Sequence, residues 1–92
     1  MGGVWRELVW SDESEAHVAK HNVKPSEVEE VVNTRPQWQH PGVEGSTLVY
    51  GRTDVGRHLL VVLAESADGR WYVATARDLT PKEMRTFRRK AR

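Results

Sequence analysis

The chain has 92 residues, of which 38% are hydrophobic and 29% charged, and its formal net charge at pH 7 is +1. These values argue against a disordered chain and predict one domain over residues 1–92, with flexible ends at residues 1–7 and 90–92. Cysteine is absent, which excludes disulfides and thiolate metal sites. No run of about 18 apolar residues occurs, so we expect no membrane span and a cytoplasmic location.

The charge is divided unevenly along the chain. Residues 1–33 contain seven acidic and three basic residues, a balance of −4, whereas residues 82–92 contain six basic residues and one acidic residue, a balance of +5. Such a division suggests that the basic end faces a polyanion. The alternative is that the acidic and basic segments neutralise each other within the fold.

The first helix is predicted from its end signals. Ser11 or Asp12 can cap its start, and Glu15 can complete a capping box. The helix is expected to reach about His21 and to end at Asn22, which tolerates the left-handed conformation of a helix stop.

A second helix is predicted from Pro25 onward, because proline suits the first helical position. Val28, Val31 and Val32 form its apolar stripe and should face the core.

The remaining elements are strands and one further helix. Strands are predicted at residues 8–10, 47–52, 58–64 and 71–77, with a weak edge strand within residues 35–45. Residues 58–64 are almost all apolar, which is typical of a central strand. Thr80, Pro81 and Glu83 then open the third helix as cap, first residue and capping-box partner. The predicted fold is α+β: an antiparallel sheet of three or four strands, with two helices before it and one after.

The turns at residues 54–56 and 68–69 suggest a register for the sheet. If both connections are four-residue loops, Arg52 lies opposite Arg57 and His58 lies beside Arg77. This register would put five further side chains on the face of His58: Val49, Leu60, Val62, Trp71 and Val73.

Four arginines stand at the predicted strand ends, and cations in that position suit an anionic ligand, phosphate above all. They are Arg52, Arg57, Arg70 and Arg77. The alternative is that each is solvated or pairs with a nearby acid such as Asp54, Asp68 or Asp78.

Metal and cofactor motifs are not apparent. His17 and His21 are four residues apart on one helix, but no third ligand is marked, and no phosphate-binding glycine loop occurs. We therefore expect no cofactor. Lys20, His21, His58, Glu83 and the strand arginines form a set that could cleave RNA without metal, since the ribose 2′-hydroxyl is an internal nucleophile.

The tryptophans divide between core and surface. Trp10 and Trp71 are predicted to lie in the core. Trp38, in a polar segment, is the better candidate for stacking on a base or contacting a partner.

Three blocks of the sequence resemble one known family. Residues 9–32 read VWSDESEAHVAKHNVKPSEVEEVV, residues 51–62 read GRTDVGRHLLVV, and residues 75–89 read TARDLTPKEMRTFRR. In order and spacing, these blocks resemble the BrnT-type toxins of bacterial type II toxin–antitoxin pairs. The resemblance implies a RelE-like fold, a metal-independent endoribonuclease that inhibits translation, and a complex with a ribbon-helix-helix antitoxin through which the toxin oligomerises.

The resemblance also implies site residues. The positions that match the site residues of the family are Lys20, His21, Arg57, Arg77 and Glu83. We assign His21, Glu83, Arg57 and Arg77 to catalysis. The residues assigned to RNA binding are Lys20, Arg52, His58, Arg85 and Arg88.

The chain departs from the family pattern at three positions. Asn22 stands where glycine is usual, Met84 where arginine is common and Phe87 where tyrosine is frequent. The last two changes remove a cation and a hydroxyl from the third helix. The alternative function is therefore a non-catalytic module of the same fold that binds nucleic acid or a protein partner.

Overall fold

The structure is a computed structural model that describes residues 6–92. Its strands are Leu8–Val9 (β1), Gln37–Pro41 (β2), Ser46–Arg52 (β3), His58–Glu65 (β4) and Trp71–Asp78 (β5). Its α-helices are Asp12–Ala19 (α1), Pro25–Asn33 (α2) and Pro81–Lys90 (α3), and a short 3₁₀ turn covers Val43–Gly45. The fold is α+β, as predicted. Residues 1–5, part of the amino terminus expected to be flexible, lie outside the described residues.

The five strands form one mixed sheet in the order β1-β5-β4-β3-β2. Strand β4 is central, which confirms the placement predicted from its apolar sequence. Strand β1 pairs with β5 in parallel, whereas the other pairs are antiparallel. The prediction of a purely antiparallel sheet of three or four strands was therefore wrong. A two-residue strand carries too little sequence pattern to indicate the direction of its partner.

The helix ends follow the local sequence signals. Ser11 caps α1, and Ser14 rather than Glu15 completes its capping box. Helix α1 ends at Ala19, two residues before the predicted end at about His21, and Asn22 follows in the expected left-handed conformation with φ 58°. Thr80 and Glu83 form the predicted capping box of α3.

Both hairpin loops are one residue shorter than predicted. Thr53 N–H donates to the Arg57 carbonyl at 2.8 Å, and Ser66 N–H donates to the Arg70 carbonyl at 2.9 Å. The loops therefore contain only residues 54–56 and 67–69. Gly56 and Gly69 end them with φ 91° and 83°, a conformation that glycine adopts without strain.

The shorter loops correct the predicted register. Arg52 pairs with His58, not with Arg57, and Arg77 pairs with Leu60. A register shift between Val62 and Leu63 offsets β5 further.

The sheet has an apolar core on each face. On one face, helices α1 and α2 cover a core that includes Val49, Leu63 and Val73, with Trp10 and Trp71 packed against it. On the other face, α3 covers Tyr50, Leu60 and Leu79 through Phe87. Val49, Val73 and Trp71 thus lie on the face opposite to His58, contrary to the prediction, while Leu60 and Val62 share its face.

Close packing of α2 on the sheet depends on a glycine. A Cβ atom at Gly51 would lie 2.9 Å from Cγ1 of Val31 and 3.4 Å from the Val31 carbonyl oxygen. Val28, Val31 and Val32 are all buried, as their spacing predicted. The missing side chain at Gly51 therefore lets this stripe approach β3 directly.

The chain ends in contact with the edge strand. Arg92 exchanges two backbone hydrogen bonds with Gln37, at 3.1 and 3.2 Å. None of the described helices combines the length and apolar character needed to cross a membrane.

Candidate functional site

The guanidinium group of Arg57 is surrounded by hydrogen-bond acceptors at the end of the sheet. Its Nε and one Nη2 hydrogen bind the two carboxylate oxygens of Asp78, at 2.9 and 3.3 Å. Nη1 binds Oε1 of Glu27 at 3.0 Å and the Asn22 carbonyl at 2.7 Å, and Nη2 also binds the His21 carbonyl at 3.3 Å. These five acceptors match the five N–H donors of a guanidinium group. Arg57 has no donor left for a phosphate in this arrangement.

These contacts join three parts of the chain. They hold the turn between α1 and α2 and the first turn of α2 against the end of β5. The hydrogen bond from Arg57 lowers the pKa of Asp78, and the nearby His21 has a smaller effect in the same direction. The alternative that strand-end arginines pair with acids is confirmed here, and again where Arg70 binds Asp68 at 3.0 Å.

Arg77 and Glu83 form a second ion pair. Nη1 and Nη2 of Arg77 bind the two carboxylate oxygens of Glu83 at 2.8 and 2.9 Å. Oε1 of Glu83 also accepts the backbone N–H of Thr80 at 2.9 Å. The hydrogen bonds from Arg77, and then the backbone N–H of Thr80, lower the pKa of Glu83 to about 2. A carboxylate of such low pKa is a poor proton acceptor near neutral pH.

Three predicted RNA-binding residues come together on the α3 face of the sheet, and we call Arg52, His58 and Arg88 the basic cluster. Arg52 and His58 are directly opposite each other on β3 and β4, a placement in which side chains are neighbours. Arg88, on α3, is near enough for its charge to act on the same imidazole. Burial lowers the pKa of His58, and the charges of Arg52 and then Arg88 lower it further. Neither arginine has an ion-pair partner among residues 6–92.

The imidazole of His58 is supported by an aromatic ring. Phe87 meets it edge-on, with 5.3 Å between ring centroids. Phe87 is only 4% exposed, so it fixes the position of the imidazole from the core side. No local sequence signal indicates this support, because the contact joins residues of β4 and α3 that are 29 positions apart.

An aromatic row continues the same face toward the edge strand. Trp38 lies 5.0 Å from Tyr50 and stacks on His40 at 5.0 Å, and it is half-buried. Burial raises the pKa of Tyr50, and the charge of Glu83 adds to the effect. Trp38 therefore presents part of its ring to solvent, as a base-stacking or partner-contact residue requires.

The other predicted site residues lie apart from the basic cluster. Lys20 and His21 are exposed at the carboxyl end of α1, on the side of Arg57. Arg85 is exposed on α3. The predicted set thus divides into the Arg57 group, the Arg77–Glu83 pair and the basic cluster.

Within residues 6–92, no group of three or more histidine, aspartate or glutamate side chains is placed to hold a metal ion.

Comparisons of the chain with known protein families, with curated proteins and with solved structures found no match.

Proposed function

We propose that the protein is an RNA-binding ribonuclease whose reacting phosphate binds at the basic cluster. The observation that carries the proposal is the position of His58, which lies opposite Arg52 and has a pKa lowered by burial and by the charges of Arg52 and Arg88. Among residues 6–92, neither arginine has an ion-pair partner. A neutral imidazole accepts a proton near neutral pH, and a guanidinium binds two phosphate oxygens at once. RNA needs little more, because its own 2′-hydroxyl attacks the adjacent phosphorus.

The proposed reaction assigns one role to each residue of the cluster. His58 accepts the proton of the 2′-hydroxyl as the 2′-oxygen bonds to phosphorus. Arg52 and Arg88 hold the phosphate oxygens while negative charge builds up on them. The bond to the 5′-oxygen breaks, that oxygen takes a proton from water, and the RNA is left with a 2′,3′-cyclic phosphate. His58 then releases its proton to solvent.

This proposal moves the centre of catalysis away from His21 and Glu83. Glu83 is held by Arg77 and by the backbone of Thr80. His21 lies just after α1, where its carbonyl accepts a hydrogen bond from Arg57. Arg77 and Arg57 would then maintain the structure around the site instead of binding phosphate.

We further propose that the enzyme is the toxin of a type II toxin–antitoxin pair with a RelE-like fold, acting on RNA in the cytoplasm. The support is the three-block resemblance to BrnT-type toxins and the basic α3. Its antitoxin would be a ribbon-helix-helix protein, and the complex would set the oligomeric state. Trp38 and α3 are the proposed contacts of that partner.

The test is cleavage of RNA in excess chelator, with analysis of the product ends. We expect 2′,3′-cyclic phosphates, and we expect His58→Gln to slow cleavage by about a hundredfold or more, as loss of a general base does. His17→Gln is the matched control, because His17 is exposed on α1, away from the cluster. Equal cleavage by both variants would overturn the role of His58.

A second candidate function is non-catalytic binding of RNA or of a protein partner. It is favoured by the ion pairs of Arg57 with Glu27 and Asp78 and of Arg77 with Glu83, which engage three predicted catalytic groups with one another or with other acids. Binding of several RNAs without cleavage at any pH between about 5 and 9 would select this candidate.

A further inference from the structure

A cleft opens beside the basic cluster, at the end of the sheet. It has a volume of about 390 Å³, within the usual size range of small-molecule sites. One wall is the connection from α2 to β2, and the other is the β3–β4 hairpin. The residues that line it include Thr34, Arg35, Arg52, Thr53, Asp54 and Val55.

Both walls are fastened to the same residue of α2. The Thr34 hydroxyl donates to the backbone carbonyl of Glu30 at 2.6 Å, and the Asp54 N–H donates to the Glu30 carboxylate at 3.2 Å. The separation of the walls is therefore set by α2, whose valine stripe is buried in the core. A cleft held in this way is formed before a ligand arrives, which reduces the entropic cost of binding.

The chemistry of the cleft matches a nucleotide. Arg35 and Arg52 both line the cleft and are exposed, and the guanidinium group of an arginine binds phosphate. Asp54 is exposed and offers a carboxylate, which accepts hydrogen bonds from base N–H groups. A ligand that carries negative charge at one end and N–H donors at the other uses both features.

Arg52 connects the cleft to the basic cluster, since it lines the cleft and lies opposite His58. We propose that the cleft is a subsite for the nucleotide adjacent to the scissile phosphate, with Arg35 on the next phosphate and Asp54 on the base. This inference rests on the proposed function, because it takes the basic cluster as the place of the reacting phosphate.

The test is the binding of a short RNA that carries a 2′-deoxy nucleotide at the scissile position and cannot be cut. Arg35→Ala should weaken binding roughly fivefold and reduce the slope of log affinity against log salt by about 0.7, the value for one phosphate contact on a single strand. Arg70→Ala is the control. It removes one exposed arginine at the opposite end of β4, in the loop to β5, and should leave binding unchanged.

Two substitutions of opposite charge at Val55 test the cleft without disturbing the core. Val55 is 90% exposed and lines the cleft, so either substitution points into solvent. Val55→Glu should weaken binding of the same RNA several-fold, and Val55→Lys should preserve or strengthen it.

The outcomes separate this inference from the proposed function. If Arg52→Ala and Arg88→Ala weaken RNA binding but Arg35→Ala and Val55→Glu do not, the cleft is not a subsite and the proposed function stands. If all four variants bind like the parent protein, the proposed function itself fails.

Discussion

Arg57 donates two hydrogen bonds to the carboxylate of Asp78, from Nε at 2.9 Å and from Nη2 at 3.3 Å. These bonds join the β3–β4 hairpin to the end of β5. The remaining donors of Arg57 hold the turn between α1 and α2. A residue that was predicted from the sequence to bind phosphate thus occupies the junction of three elements.

The first prediction is that the main role of Arg57 is to stabilise the fold, and not to take part in catalysis. We expect Arg57→Ala to reduce the free energy of unfolding by about 1–3 kcal/mol, because Glu27 and Asp78 lose a charged donor and two carbonyls lose theirs. Urea denaturation measures the effect. Arg70→Ala, which breaks an exposed pair in a loop, is the control and should leave the midpoint almost unchanged. A stable Arg57→Ala protein that has lost cleavage would return Arg57 to the catalytic group.

The second prediction concerns acid stability. The pKa of Glu83 is lowered to about 2 by Arg77 and by the N–H of Thr80. Because the folded-state pKa is below that of the unfolded chain, its contribution is complete above about pH 4.5 and is lost as the pH falls toward 2. We expect that contribution to be on the order of 2 kcal/mol, after allowance for the solvent around Arg77.

The variant for this measurement is Glu83→Gln, which keeps the size of the side chain. The difference in unfolding free energy between the parent and this variant should be largest near neutral pH and should shrink between pH 4.5 and 2. A difference that stays constant across that range would show that the ion pair is not its source.

The third prediction concerns the contact between α2 and β3. Gly51→Ala places a methyl group 2.9 Å from Cγ1 of Val31, and we expect it to cost about 1–3 kcal/mol of stability. Val31→Ala, introduced into the same protein, removes that carbon. The double variant should therefore be more stable than the sum of the two single changes predicts, as measured by a double-mutant cycle. Additive losses would mean that the methyl group is accommodated elsewhere.

Much of the fold could be predicted because its signals are local. The caps at Ser11 and Thr80, the left-handed Asn22 and the apolar strand β4 all depend on neighbouring residues. The register could not be predicted in the same way. Asp54-Val55-Gly56 is compatible with loops of three or four residues, and a change of one residue moves every cross-strand pair. The parallel pairing of β1 depends on the path of the chain through α1 and α2.

The site was harder to predict because the acids that pair with an arginine can be distant from it in sequence. Glu27 is 30 residues from Arg57 in sequence, and no local pattern links them. Asp54, Asp68 and Asp78 looked equivalent as partners, but only the last reaches Arg57. The three residues of the basic cluster were each predicted to bind RNA. That Arg52 lies opposite His58 could be known only from the register of β3 and β4 in the structure.

The last prediction concerns the protonation of His58. Burial, Arg52 and Arg88 lower its pKa, so an NMR titration of the imidazole should give a midpoint below the ordinary value of about 6.5. Arg52→Ala and Arg88→Ala should each raise the midpoint, but only in part, because burial persists. Added salt should have a similar effect, since it screens the two charges.

The control for this titration is Arg85→Ala, which removes a cation from the same helix as Arg88 without removing one from the cluster. It should leave the midpoint of His58 in place. Because the folded pKa is below the unfolded one, the protein should also lose stability as the pH falls below about 6.5, and His58→Gln should remove that portion of the loss. A midpoint at or above 6.5 would mean that His58 is not held neutral by its surroundings, and the general-base role would lose its physical basis.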